Sequence, residues 1–153
     1  MTGLKARLQA DLSVAIKSRD ELTAATLRMA LTAITNEEVS GKEARTLSED
    51  EVITVLGREG KKRRESAEAF DNANRPELAT RERAELGVLE RYLPAQLSDE
   101  DLTSIVTAAV AQAQEQGAEG QKAMGIVMKI VNPQVAGRAE GGRVATEVRK
   151  QLA

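Results

Sequence analysis

Ser48–Phe70 reads SEDEVITVLGREGKKRRESAEAF. Ser48 and Glu51 stand three apart, the spacing of a capping box, in which serine and glutamate each satisfy the other's free backbone N–H. Behind that cap, Ile53, Leu56, Gly60, Arg63, Ala67 and Phe70 recur at alternating intervals of three and four. This is the helical period, and it places all six on one stripe. The spacing predicts a helix from this cap to about residue 74. Gly60 in mid-stripe predicts a close helix crossing. Arg63 interrupts the apolar row, so we expect it to bridge to another helix. The basic run KKRRES (61–66) cannot face one ligand, because consecutive residues spread around the helix. Glu59 with Arg63, Lys61 with Glu65 and Arg64 with Glu68 instead have the i,i+4 spacing of pairs on a solvated face.

The same period extends in both directions. Leu4, Leu8, Leu12 and Ile16 form the stripe of a first helix, and Leu27, Leu31 and Ile34 that of a second opened by Asp20-Glu21. Pro76 suits the first position of a fourth helix, where its missing N–H costs nothing, and Leu78, Leu86 and Leu89 follow it. Pro94 biases Leu93 away from helical geometry, so the chain breaks in YLPAQLS (92–98). Ser98 then caps a fifth helix with Leu102, Ile105, Val106, Ala109 and Val110 on its apolar face, ending by 117–120. Met124, Val127, Met128 and Val131 predict a short sixth helix that Lys129 ends and Asn132-Pro133 stops. Val144, Val148 and Leu152 predict a seventh. No stretch alternates with the strand period. The expected architecture is all-α, with a helical N-terminal domain at 1–93 and a three-helix tail domain at 94–153.

Composition sharpens this and removes several chemistries. Of 153 residues, 41% are hydrophobic and 30% charged, enough apolar surface for a core. That core must be aliphatic, because Phe70 and Tyr92 are the only aromatic residues. The chain has no Cys and no His, which excludes disulfides, thiol nucleophiles, Cys/His zinc sites and histidine general bases. The glutamate pairs 37/38 and 82/85 lack the histidine that di-metal helical bundles place beside such residues. We therefore expect no metal, no cofactor and no autonomous covalent catalysis. No stretch has the roughly 20 apolar residues of a membrane span and no signal-peptide core opens the chain, so the expected location is cytoplasmic, with no membrane partner. Net charge is −2, with no global field for polyanions. From Lys122 onward, however, six Lys or Arg face only Glu140 and Glu147.

AGRAEGG (136–142) matches no phosphate-binding glycine motif and follows a helix rather than a strand. The residues alone read it as a helix–helix connection. Against that, Arg138 lies beside a glycine and near a helix N-terminus, where backbone N–H groups favour anions. Arg143 and Lys150 are two turns apart and share a face. Together with Lys129, Gly137 and Gly141 they are the candidate docking edge for phosphates.

YLPAQLS at 92–98, MGIVMK at 124–129 and GRAEGGRV at 137–144 resemble the YqeY family, relatives of the tail domain of the B subunit of tRNA-dependent Asp/Glu amidotransferase. LRMALTAITNEE at 27–38 and RRESAEAFDNANRPEL at 64–78 are similar to the family's N-terminal half, so the likeness spans nearly the whole chain in order. It implies a GatB/YqeY-type helical tail, which in the amidotransferase helps to hold tRNA while other parts perform amide transfer. Glu140 stands where the family pattern usually has Asp. By this resemblance, the expected function is a non-catalytic tRNA- or RNA-binding accessory module, beside an amidotransferase or a tRNA-processing protein. The alternative is a protein-interaction module without nucleic-acid binding, using Met124 and Met128 as an adaptable surface.

Overall fold

A computed structural model describes residues 3–135 and 138–153. Seven α-helices and one short 3₁₀ turn account for most of them, and no strand occurs among the described residues. The helices are α1 Leu4–Lys17, α2 Glu21–Glu38, α3 Glu49–Asn72, α4 Pro76–Glu90, α5 Asp99–Glu115, α6 Met124–Val135 and α7 Gly141–Leu152. They fall into two compact units, Met1–Leu93 and Pro94–Ala153, each with its own apolar core.

In the first unit α3 pairs most extensively with α4, and α1 with α2. Leu8, Leu27, Ile34, Leu56 and Leu89 are fully buried between them. Gly60 makes the α3–α4 crossing close, since a Cβ there would lie 3.4 Å from Leu86 Cδ1. The Ser48–Glu51 capping box forms in both directions, and Arg45 grips the same glutamate. Hydrogen bonds from the Arg45 guanidinium and the Ser48 N–H hold the Glu51 carboxyl down at about 2. Asp20 caps α2 through the Thr23 N–H, and Pro76 takes the first position of α4.

The first stripe needs one correction. Leu4 and Leu8 are buried, but Ile16 is 49% exposed and Ala15 takes the inward position. A strict four-residue interval advances 400° per step, 40° beyond one turn, so the three steps from Leu4 to Ile16 carry the row away from the core. On α3 the buried face also takes in Val52, Val55 and Glu59 beside the predicted stripe.

α1, α3 and α5 end in the same closure. At each, the second residue past the last helical one has positive φ: Arg19 at 59°, Asn74 at 59° and Gly117 at 84°. The next N–H then reaches back five residues: Asp20 to Ala15, Arg75 to Phe70 and Ala118 to Ala113. This is the Schellman closure, which satisfies terminal carbonyls.

In the second unit α5, α6 and α7 enclose Leu102, Val106, Val127, Val131, Val144 and Val148. Ser98 caps α5 through the Asp101 N–H. A 3₁₀ turn, Gly120–Ala123, leads into α6. That helix does not stop at Asn132-Pro133, and Lys129 does not end it. It continues through Pro133 to Val135. Proline removes one hydrogen bond near the end of the helix, whereas the extra turn buries Val135 in the core. The carbonyl of Val135 in turn accepts from the N–H groups of Arg138 and Ala139.

Candidate functional site

Residues 95–97 of YLPAQLS and 138–143 of GRAEGGRV are over forty residues apart in sequence, yet they meet in the second unit. Leu97 is buried, so its two backbone polar groups need partners within the protein. Its N–H donates to the Arg138 carbonyl at 2.8 Å. Its carbonyl accepts from Arg143 Nη2 at 2.8 Å. The Arg138 side chain donates from Nε to the Ala95 carbonyl at 3.4 Å. Arg143 also holds Asp99, the first residue of α5, with Nη2–Oδ1 at 2.8 Å and Nε–Oδ1 at 3.3 Å. The Asp99 side chain is 96% exposed, so this ion pair contributes only about 0–1 kcal/mol. Leu97's two hydrogen bonds are the specific part of the joint.

The predicted edge therefore separates into two kinds of residue. Arg138 and Arg143 fasten segment 95–99 to the start of α7. Lys129, exposed on α6, and Lys150, exposed on α7, have neither an ion pair nor a hydrogen bond among the described residues. Arg143 and Lys150 do share a face, as their spacing requires. Both line a groove of about 470 Å³ between α5 and α7. Asp99 and Glu147 line it too, so its charge is mixed. Gly141 is the exposed first residue of α7. Glu140 precedes it, and its side chain does not cap the helix. Gly137 lies outside the described residues. Asp99 is the partner the sequence reading missed; it lies 44 residues from Arg143, and no periodicity joins two positions so far apart.

Residues 5–152 match the family model described as Yqey-like protein. The chain belongs to the YqeY family. Among curated proteins, this YqeY chain is 31% identical over 137 residues to "Altered inheritance of mitochondria protein 41, mitochondrial" of Pyrenophora tritici-repentis, covering 87% of this chain and 71% of that protein. It is also 32% identical over 97 residues to an uncharacterized protein of Schizosaccharomyces pombe, covering 63% of this chain and 76% of the other.

A second polar cluster, in the first unit of this YqeY chain, is buried. Arg63 of α3 is 5% exposed and sits between Glu59 and Glu85, both also buried. Its Nη1 reaches Glu59 Oε1 at 3.2 Å, and Nε faces Glu85 Oε2 of α4 at 3.6 Å. Nη2 touches Met29 Sδ of α2 at 3.6 Å. The interrupted stripe thus does mark a bridge, and it joins three helices. Lys62 and Arg81 take the outer sides of the two carboxylates. Burial first, and the neighbouring Glu85 charge second, raise the Glu82 carboxyl above its ordinary value. Among the described residues no three or more Asp or Glu side chains are placed to hold a metal ion, and no helix is long and apolar enough to cross a membrane.

Proposed function

We propose that this YqeY protein is a non-catalytic accessory module whose 94–153 unit docks structured RNA, such as tRNA, by its phosphate backbone. The observation that carries this reading is that Lys129 and Lys150 are exposed and make no ion pair or hydrogen bond among the described residues, the latter on the rim of the α5–α7 groove beside the joint of the two family motifs. The likeness to an amidotransferase tail domain points the same way. Arg138 and Arg143 act indirectly here, shaping the edge by holding 95–99 in place. Two lysines inside an acidic chain make a weak, salt-sensitive contact that reads shape rather than sequence. The protein works in the cytoplasm on this reading. The name of the Pyrenophora relative makes the mitochondrion the competing location, and fractionation of a tagged chain decides between them.

Gel retardation with tRNA and with unrelated structured RNA at low salt tests the proposal. Replacing Lys129 and Lys150 together by Ala should weaken binding equally for both RNAs and leave helicity intact. The log–log salt slope should fall by roughly 0.7–0.9 per lost phosphate contact. Replacing Arg138 and Arg143 should weaken binding and also lower the melting temperature, because those side chains hold the joint. No retardation by the wild-type chain, or an unchanged slope in the lysine variant, defeats the reading.

One observation favours protein interaction instead. Ile126 is 37% exposed on α6, between the half-buried Met124 and Met128. A partner recovered from cell extract after nuclease treatment, and lost on Ile126→Asp, would establish that alternative.

A further inference from the structure

Arg63 has five N–H donors, and the structure leaves this buried cation short of strong acceptors. Nη1 is well supplied, by the Glu59 carbonyl and carboxylate, both at 3.2 Å. Nε makes no hydrogen bond, because the Glu85 oxygen at 3.6 Å is within ion-pair range but too far to accept one. Nη2 donates to Met29 Sδ at 3.6 Å. A thioether is a weak acceptor, so the guanidinium meets α2 through a poor bond.

Met29 is 46% exposed, and it lines a groove of about 620 Å³ between α2 and α3, with Ala33 and Val55 as the other apolar lining. Small solutes therefore reach the Met29 side chain from the groove, and its sulfur is backed by a cation. We propose that Met29 is a reversible oxidation site at which Arg63 binds the sulfoxide oxygen. A sulfur lone pair attacks the distal oxygen of a hydroperoxide; the S–O bond forms as the O–O bond breaks. Sulfur loses two electrons and the peroxide is reduced to water or an alcohol, its transferred oxygen passing its proton through solvent to the leaving oxygen. The new oxygen carries partial negative charge, so the weak N–H···S contact becomes a charge-assisted N–H···O bond.

Met124 and Met128 are in the opposite situation. Both are half-buried against the α5–α7 core, where a sulfoxide sets a polar group on apolar neighbours and disrupts packing. Oxidation at Met29 turns one apolar wall of the α2–α3 groove polar without that penalty, and methionine sulfoxide reductases reverse it.

The full-length chain titrated with hydrogen peroxide tests this, with sulfoxide at each methionine followed by peptide mass spectrometry and thermal melts read by the single tyrosine. Met29 should oxidise several-fold faster than Met124 and Met128, and the Met29-oxidised chain should melt at or above the unmodified one. Met29→Gln places an amide oxygen near the sulfoxide position without any oxidant. It should melt above Met29→Leu, by roughly 4–8 °C for a folding unit of fewer than 100 residues, if the new bond contributes about as much as an ordinary one. Equal oxidation rates, a lower melt after oxidation, or Met29→Gln melting at or below Met29→Leu would each overturn the assignment.

Discussion

Tyr92 is the chain's one tyrosine, and three neighbours define its state. Its hydroxyl donates to Asp11 Oδ2 at 2.6 Å, and the Arg7 guanidinium lies 4.7 Å from the ring centroid. Burial, reinforced by the hydrogen bond to Asp11, pushes the phenol up to about 12. A phenol raised in the folded state contributes its stability in full below the unfolded value of about 10 and loses it as pH rises from there to about 12. The tyrosinate absorbance should therefore titrate near 12 in the native chain. Asp11→Ala should bring the midpoint only part of the way to 10, because burial is the larger cause. A native midpoint at 10 would mean that the ring is not packed against α1. Arg63 is a second side chain whose state one substitution tests. Removing one partner of a buried ion pair typically costs about 3–5 kcal/mol. Glu59 keeps Lys62 at 2.9 Å and Glu85 keeps Arg81 at 3.5 Å, so Arg63→Ala should lie at the low end, about 3 kcal/mol. Urea unfolding followed by tyrosine fluorescence measures it, and a loss below about 1 kcal/mol would show the cluster to be no better than a surface pair.

Helix ends are where the elements depart most from their sequence patterns. α1 closes through Arg19 at φ 59° and α3 through Asn74 at the same angle. Asparagine tolerates the left-handed region, whereas arginine carries a Cβ penalty there. Arg19→Gly removes that penalty but adds freedom to the unfolded chain. The net expectation is a gain of roughly 0.5–1 kcal/mol, seen as a raised denaturation midpoint in the tyrosine signal. The same substitution at Asn74 should gain less. A destabilised Arg19→Gly would mean that the arginine side chain holds the α1–α2 turn through a contact of its own. α6 shows the reverse case, in which a local stop signal is overruled. Pro133 forfeits one backbone bond, and burial of Val135 outweighs it.

For the whole molecule, the two cores predict separable folding. Leu8, Leu27, Ile34, Leu56 and Leu89 close one, and Val106, Val127, Val131, Val144 and Val148 close the other. We propose that 1–93 and 94–153 are autonomous domains. Expressed separately, each fragment should be helical by circular dichroism and melt cooperatively. The 94–153 fragment should melt lower, because a chain of about 60 residues buries a smaller share of its surface. Its stability should fall further with Arg143→Ala, which strips the carbonyl of buried Leu97 of its partner. A fragment without cooperative melting would make the two units one folding domain.

Most of the local structure was already written in the residues. Helical periodicity, the Ser48 and Ser98 caps, Asp20-Glu21 and Pro76 at helix starts and the Gly60 crossing are all legible, because each depends on residues within a turn or two of one another. The all-helical class follows from them. The expected roles of Arg138 and Arg143 show where that reach ends. Their charge and spacing are visible in the sequence, but whether a guanidinium faces solvent or the carbonyl of Leu97 depends on a segment over forty residues away. Lys129 and Lys150 differ from them in that neither makes an ion pair or hydrogen bond among the described residues. Likewise the break in the α3 stripe announced a bridge from Arg63, while only helix packing could supply Glu85 and Met29 as what it touches. Backbone propensity acts within a few residues, whereas burial and pairing act through space, and so the elements could be read from the chain and the state of each charged side chain could not.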